Sequence, residues 1–354
     1  MLAFVALPLA GVLAQQISMT PAGPAPDPYP PNTYQIDQSF KLEMPKGITT
    51  LGGVVGGRVS RDGKYLYVFH RCAENSCATH PDVPPILKYD MTGKLVKAWG
   101  QGMIVFPHGL YIDPDDNIWV TDAVSSYGTD PDANGRGQQA LKFDPEGKLL
   151  MTLGTKGVAG QGHNTFFAPS DVVTGRNGDI FVADGHGGDP KNPAGWTNNR
   201  VVKFDKNGKY IKEWGGRGSG PGQFEVPHAI TIDSRGRLFV ADRMNNRIQI
   251  FDQDGKFLEE WKQFGRPSGL YIGPDDQLYA ADTQSPANGK RTGWKNGVYI
   301  GSAKDGKVTA FIPKHVDGSN MEGIGANANG SIVYGGDIGI RQLVIFRRGG
   351  RSTR

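Results

Sequence analysis

The sequence predicts an all-β fold, a six-bladed β-propeller with four strands in each blade. Three observations predict it: a motif of four short apolar segments recurs along the chain, turn residues are abundant, and no long apolar pattern has a period of 3.6 residues. The 354 residues include 51 glycines and 24 prolines, which is typical of many strands joined by tight turns. A repeat of about 40 to 50 residues favours a propeller or a related repeat architecture.

The clearest copy of the repeat is "VPHAITIDSRGRLFVADRMNNRIQIFDQDGKFLEEW", residues 226–261. It contains an apolar strand, a polar turn, a second strand, a loop, a third strand and, after the turn "QDG", a fourth. Six such units follow one another, and the last ends after its third strand. We expect "YQIDQSFKLEM", residues 34–44, to supply the missing strand, because pairing the chain ends closes the ring and removes the exposed sheet edge.

The propeller is expected to occupy residues 34–350. Residues 1–16, "MLAFVALPLAGVLAQQ", are apolar but too short to span a bilayer, so they are predicted to be a signal peptide or a lipid-facing anchor. Residues 17–33 are rich in proline and are predicted to be a disordered tether. These features predict a secreted or periplasmic protein without a membrane span. Cys72 and Cys77 could form a disulfide or remain two separate thiols.

The charges and the loops narrow the class of partner. The formal net charge is +4, and basic residues are mixed with carboxylates, so the sequence indicates no nucleic-acid partner. The loops between second and third strands are long in four units, as in "AVSSYGTDPDANGRGQ", whereas the other turns are short. Long loops on one face of a rigid scaffold indicate the working face. We expect a monomer that binds a small molecule or a peptide there.

A metal site is predicted where the first strands of the units begin. His108, His228 and Glu322 hold this position in three alternate units, and Ser170 and Ser268 hold it in units between them. Alternate blades are about 120° apart around a six-bladed ring, so the three side chains would meet on the channel axis. Two imidazoles and a carboxylate suit Zn²⁺, with Fe²⁺ and Mn²⁺ as alternatives. The other interpretation is a set of unrelated polar residues lining a water-filled channel.

The units resemble NHL repeats, and the chain resembles the peptidyl-α-hydroxyglycine α-amidating lyase family over about residues 34–346. The motifs that carry the resemblance are "VFHR", "FPHGLYID…NIWVTD", "GQGHNTFFAPSDV", "FVADG…NNRVVKFDKNGKYIKEWG" and "GPGQFEVPHAI…FVADRMNNRIQIF". Each one alone is ordinary repeat sequence, but their order and the two "PH" elements are specific. The resemblance implies a metal-dependent lyase that splits a carbinolamide and releases glyoxylate from an α-hydroxyglycine.

The resemblance also implies a ligand set. It places the three zinc-binding histidines of the family at His108, His228 and Glu322, so the third ligand is a carboxylate here. The family also has a structural calcium, bound partly by an Asp that follows the third histidine. Gly323 stands at that position, which argues against calcium in this chain.

Three further roles follow from the resemblance. The two substrate-facing arginines of the family fall on Arg71 and Arg243, and its catalytic tyrosine falls on His186. An imidazole can act as a general base near neutral pH. The alternative for the arginines is a pair of salt bridges at blade edges, and for His186 an exposed position in a glycine-rich turn.

Two other classes of function stay open at this point. A metal-dependent hydrolase could open an ester or a lactone in the same channel, as gluconolactonase-like propellers do, although those use Glu, Asn and Asp around calcium. A propeller of NHL repeats could also be a protein-binding module without catalysis.

Overall fold

The computed structural model describes residues 24–72, 74–124, 135–186, 198–286 and 291–349. Within these ranges, 24 strands form six antiparallel sheets of four, and the helical structure is a single 3₁₀ turn, Arg243–Asn245. The six sheets are the blades of a propeller, so the all-β fold predicted from the sequence is confirmed.

In blades one to five the four strands follow one another in sequence, whereas the last blade takes its outermost strand from before blade one. The first strand of each blade's own repeat unit lies innermost. Blades one to three comprise β2 (Val54–Val59), β3 (Tyr65–His70), β4 (Ile86–Asp90), β5 (Leu95–Trp99), β6 (Pro107–Ile112), β7 (Ile118–Asp122), β8 (Gln139–Phe143), β9 (Leu149–Leu153), β10 (Pro169–Thr174), β11 (Ile180–Asp184), β12 (Arg200–Phe204) and β13 (Tyr210–Gly215). Blades four to six comprise β14 (Pro227–Ile232), β15 (Leu238–Asp242), β16 (Arg247–Phe251), β17 (Phe257–Trp261), β18 (Pro267–Ile272), β19 (Gln277–Asp282), β20 (Gly297–Ser302), β21 (Val308–Pro313), β22 (Met321–Ala326), β23 (Ile332–Asp337), β24 (Gln342–Arg348) and β1 (Tyr34–Ile36).

The ring closes as predicted, with the first strand of the chain completing the last blade. β1 pairs antiparallel with β24, and Tyr34 lies opposite Arg348. The Tyr34 hydroxyl donates a hydrogen bond to the Gly330 carbonyl at 2.7 Å. The closing strand is shorter than the segment 34–44, because the Asp37 carboxylate accepts the Ser39 backbone N–H at 2.9 Å and turns the chain.

The core consists of apolar clusters between neighbouring blades. Between blades two and three, for example, Trp119 packs with Phe166 and Phe204, all nearly inaccessible to solvent. Burying each such side chain contributes about 2 to 3 kcal/mol. The outer turns are short and rigid; in one of them the Asp252 carboxylate accepts the Lys256 N–H at 2.9 Å. This framework fixes the first strands around the central channel.

The segments before the propeller are described only in part. Residues 1–16, expected to be a signal peptide or anchor, and residues 17–23 lie outside the described ranges. Residues 24–33 were expected to belong to a disordered tether, but here Tyr29 packs against Phe311 and its hydroxyl accepts the Lys295 N–H at 2.7 Å. This part of the segment is held on blade five because the half-buried ring of Tyr29 packs there. The described residues include no helix long and apolar enough to cross a membrane.

Candidate metal centre

Each first strand is irregular at the same place, just after it begins. The pairing register shifts there in all six blades, at the residues that follow Val54, Pro107, Pro169, Pro227, Pro267 and Met321. A bulge re-aims a side chain. The residues at the bulges line the narrow middle of the channel: Val55, His108, Ser170, His228, Ser268 and Glu322.

The structure brings together the three residues that the repeat predicted as ligands. The His108 Nε2 atom lies 3.4 Å from Glu322 Oε1, and the His228 Nε2 atom lies 3.5 Å from the same oxygen. The two imidazole centroids are 4.6 Å apart. All three residues are buried, so these side chains face one another across the channel and not toward solvent.

Backbone carbonyls of the intervening blades orient the two imidazoles. His108 Nδ1 lies 2.6 Å from the Ser170 carbonyl oxygen, and His228 Nδ1 lies 2.7 Å from that of Ser268. Because a carbonyl only accepts, each Nδ1 carries the proton and each Nε2 has a free lone pair. Ser170 and Ser268 therefore orient the histidines through their main-chain carbonyl groups. A carbonyl bonded to the remote nitrogen is the usual support of a metal-binding histidine.

The charges of His108, His228 and Glu322 favour a bound cation. Burial lowers the pKa of His108 and lowers that of His228 to about 3, so both imidazoles are neutral at pH 7. Burial would raise the pKa of Glu322, but positive charge beside it, including that of Arg71, holds the pKa well below its usual value, so the carboxylate is charged. The short contacts are thus not ion pairs: two nitrogen lone pairs point at a carboxylate, and neither buried Nε2 has a hydrogen-bond donor.

His186 joins the same group. It follows β11, and its backbone N–H donates to the Ala168 carbonyl at 2.9 Å. Its ring centroid lies 4.2 Å from that of His108 and 4.8 Å from that of His228. Ligand atoms of these three histidines and Glu322 all lie within 4.8 Å of one another. The four side chains, called the His/Glu group below, could hold a metal ion.

Arg71 lies beside the carboxylate. Its Nη2 atom is 3.6 Å from Glu322 Oε1, its Nε donates to the Pro107 carbonyl at 3.1 Å, and its Nη1 donates to Asn75 Oδ1 at 2.7 Å. The guanidinium carbon lies 4.0 Å from the centre of the Phe106 ring. Burial lowers the pKa of Arg71 to about 10, so the side chain stays charged at neutral pH. The disulfide Cys72–Cys77 follows directly in the chain.

Two further arginines, Arg243 and Arg266, add positive charge near the His/Glu group. Arg266 was not identified from the sequence. Arg243 follows β15 and is close enough to depress the pKa values of Arg71 and His228. Arg266, before β18, is 2 % exposed, and its Nη1 donates to Gln284 Oε1 at 3.0 Å. Burial, followed by the charge of Arg243, lowers the pKa of Arg266 to about 9. Its position in the repeat could have identified it, because Arg266 stands two residues before Ser268, at one of the six equivalent strand starts.

The residues present do not fit a calcium ion beside the third ligand. A Cβ atom added at Gly323 would lie 2.0 Å from the Val55 carbonyl oxygen, so no carboxylate side chain can stand there in this backbone. Nearby, the Arg58 guanidinium donates to the Ile324 carbonyl. A cationic side chain therefore already contacts a carbonyl oxygen in this part of the channel.

A family model described as a 6-bladed beta-propeller matches residues 194–325. NHL repeat-containing protein 3 of Homo sapiens is 32% identical over 167 residues, which are 46% of this chain and 43% of that protein. Peptidyl-glycine alpha-amidating monooxygenase B of Xenopus laevis is 33% identical over 262 residues, 69% of this chain and 26% of that protein. The chain is a six-bladed propeller related to NHL-repeat proteins and to peptidylglycine-amidating proteins.

Other relatives agree with this relationship. Peptidyl-alpha-hydroxyglycine alpha-amidating lyase 1 of Drosophila melanogaster is 34% identical over 152 residues, 40% of this chain and 24% of that protein. The propeller therefore spans less than half the length of each of these relatives. Among solved structures, a gluconolactonase from Xanthomonas campestris matches 93% of this chain and 99% of its own with a TM-score of 0.58 and 14% identity. Virginiamycin B lyase from Staphylococcus aureus, in a catalytically inactive form with quinupristin, matches 89% of this chain and 99% of its own with a TM-score of 0.55 and 16% identity. At these identities the two structures show the fold alone.

Proposed function

We propose that the protein is a metal-dependent lyase that cleaves the C–N bond of a carbinolamide or a related α-hydroxy substrate. The observation that carries the proposal is the convergence of two outward lone pairs, on His108 and His228, upon the Glu322 carboxylate. Relatives named as peptidyl-alpha-hydroxyglycine alpha-amidating lyases, 34% identical over 40% and 42% of this chain, support the reaction type.

We assign His108, His228 and Glu322 as the metal ligands and Zn²⁺ as the metal. Imidazole and carboxylate donors suit zinc, and a catalytic zinc site has three protein ligands and one open position. Fe²⁺ and Mn²⁺ are the alternatives for the same donors. A divalent cation here supplies Lewis acidity, which lowers the pKa of a substrate hydroxyl group placed against it.

Arg71 and Arg243 are assigned to the carboxylate of the substrate. With neutral imidazoles, the only negative charge among the side chains of the His/Glu group is that of Glu322, whereas the guanidinium of Arg71 lies beside it and Arg243 is close to Arg71. Arg71 is held on three sides, by a carbonyl, an amide and an aromatic ring. Such a fixed guanidinium binds a carboxylate or a developing oxyanion at a low entropic cost.

His186 is assigned as the proton carrier. Burial, followed by the neighbouring imidazoles and Arg243, holds its pKa well below the usual value, so the imidazole is unprotonated when the substrate binds. It takes the proton of the substrate hydroxyl, the C–O bond becomes a carbonyl, and the C–N bond breaks. The proton then passes to the departing amide nitrogen. The products are an amide and glyoxylate, with neither water nor an oxidant consumed.

Metal analysis and a glyoxylate assay test this function together. We expect about one zinc ion per chain after expression with zinc, much less in His228→Ala and in Glu322→Gln, and no loss in His163→Ala, whose ring stacks on Tyr210 outside the group. With N-benzoyl-α-hydroxyglycine as substrate, the intact protein should release benzamide and glyoxylate in equal amounts. Metal bound without glyoxylate release would refute the lyase assignment, and no bound metal would refute the site.

A variant of His186 separates the two roles open to this residue. If it carries the proton, His186→Ala keeps the metal and loses glyoxylate release by about a hundredfold or more. Loss of the metal in His186→Ala would instead make it a fourth ligand. Hydrolysis of a lactone by the intact protein, with no glyoxylate released, would place the site in the hydrolase class.

We also infer that the protein works outside the cytoplasm, in a secreted or periplasmic location. The disulfide between Cys72 and Cys77 supports this, because such bonds persist in oxidising compartments.

A further inference from the structure

A second cavity opens at the other end of the central channel from the His/Glu group. It has a volume of about 740 Å³ and is lined by the last residues of the first strands and by the turns that follow them. Arg58, Leu110, Asp171 and Leu270 line both this cavity and the narrow space beneath the His/Glu group, so they separate the two. Pockets for small molecules have volumes of about 300 to 1,000 Å³. This cavity is therefore large enough for a ligand of its own.

The wall of the cavity is largely apolar. Apolar residues from four blades line it, namely Ile112, Val172, Ile230, Ile232, Leu270 and Ile272. The rings of Tyr111 and Tyr271 complete it. A concave apolar wall with a few polar groups at fixed places is the usual form of a small-molecule site.

Three arginines from two blades face this cavity. Arg58 lies deepest, and its guanidinium carbon is 5.2 Å from the centre of the Tyr271 ring. Burial raises the pKa of Tyr271, and the charges of Arg58 and Arg61 oppose that rise, which places both guanidinium groups near this phenol. Arg61 and Arg176 are exposed at the rim. The three positive charges thus surround one opening.

Carbonyl oxygens, and not carboxylates, hold these arginines in place. Arg61 Nε donates to the Asp113 carbonyl at 3.3 Å, and Arg176 Nη2 donates to the Ser234 carbonyl at 2.7 Å. In the part of the chain that the structure describes, none of the three guanidinium groups has a carboxylate within 4.0 Å. Arg58 interacts electrostatically with Asp171, whereas the charges of Arg61 and Arg176 are oriented without being neutralised.

Two carboxylates also line the cavity, and one of them is already paired. Asp233 Oδ2 lies 2.8 Å from Nε of Arg237. Asp171 accepts the backbone N–H groups of Val172 at 2.9 Å and Ile230 at 3.1 Å. With Arg58 set against Asp171, the guanidinium groups of Arg61 and Arg176 leave the cavity with a net positive charge.

We propose that this cavity binds a small organic anion, with its carboxylate or phosphate group against the arginines that line the cavity and its apolar body against the wall. Guanidinium groups bind both kinds of oxyanion through charge-assisted hydrogen bonds. The site is distinct from the proposed lyase site, because its residues lie at the opposite end of the first strands.

Calorimetric titration of the full chain with benzoate, phenyl phosphate and benzamide tests the proposal. We expect both anions to bind and benzamide, which has the same ring without the charge, to bind at least about tenfold more weakly. The double variant R61Q/R176Q should weaken anion binding by about tenfold or more. The control variant Arg235→Gln removes a half-exposed arginine that does not line the cavity, and it should bind as the intact protein does.

The variant Arg71→Gln tells this cavity from the His/Glu group, where an anion could also bind. Anion binding that survives R61Q/R176Q but is lost in Arg71→Gln would overturn the proposal. Equal binding of benzamide and benzoate would also overturn it, as would no heat of binding at millimolar concentrations of both anions.

Discussion

Replacing Glu322 by glutamine tests the metal centre most directly, because the change removes one charge and keeps the shape. In the metal-free protein two effects oppose each other. The attraction between Glu322 Oε1 and Arg71 Nη2 over 3.6 Å is worth about 5 kcal/mol at an effective dielectric constant of about 20. Burying the carboxylate costs several kcal/mol. We therefore expect the metal-free Glu322→Gln protein to unfold within a few degrees of the parent.

The metal-loaded proteins should differ. A ligand at one hundred times its dissociation constant stabilises a protein by about 2.7 kcal/mol. For the roughly 320 residues of the propeller, an unfolding entropy of about 2.1 cal/mol/K per residue gives about 0.7 kcal/mol/K, so zinc should raise the Tm of the parent by about 4 °C. The variant should lose most of this rise.

Calorimetric melting curves with and without zinc measure both quantities. His163→Ala is the control, because it leaves the His/Glu group intact and should keep the full zinc-dependent rise. An equal rise of the Tm in Glu322→Gln would refute the assignment of Glu322 as a ligand. A large destabilisation without metal would refute the balance of charge and burial given above.

Three further predictions concern stability. Because the folded-state pKa of His228, about 3, lies below the usual value near 6.5, the unfolded chain binds more protons between these pH values. The free energy of unfolding should therefore decrease as the pH is lowered through this window, by about 2 kcal/mol for this residue from pH 7 to pH 5 in metal-free protein. Urea titrations at several pH values should show a weaker pH dependence of stability for His228→Gln. Gly323→Ala places a Cβ atom 2.0 Å from a carbonyl oxygen and should cost about 3 kcal/mol or more, whereas Gly47→Ala, with no atom within 4 Å, should cost only about 1 to 2 kcal/mol from its positive φ. Equal melting temperatures for these two variants would contradict the packing at Gly323. Replacing both Cys72 and Cys77 by serine should cost about 2 kcal/mol in denaturant titrations, since the bond closes a short loop, and an unchanged stability would contradict this.

The sequence by itself determined the architecture, because the repeat is local information. Each blade is built from neighbouring segments whose alternation and turns can be read along the chain, as in the unit at residues 226–261. The sequence contains six units, and the last of them lacks its fourth strand. A segment from before the first unit therefore had to pair with the last unit. The same periodicity placed His108, His228 and Glu322 at equivalent positions, before any distance between them was known.

Only the tertiary structure decided how those positions act. The bulges direct the side chains into the channel, and carbonyls of the next blade set the proton on each imidazole, 62 residues away for His108 and 40 for His228. It also joined Cys72 to Cys77, brought Arg266 to the surroundings of the group, and gathered three arginines at the far mouth. Apart from the disulfide, which lies within one loop of blade one, these contacts join residues of different blades, and their geometry depends on how the blades pack around the axis. No spacing along the chain encodes such distances.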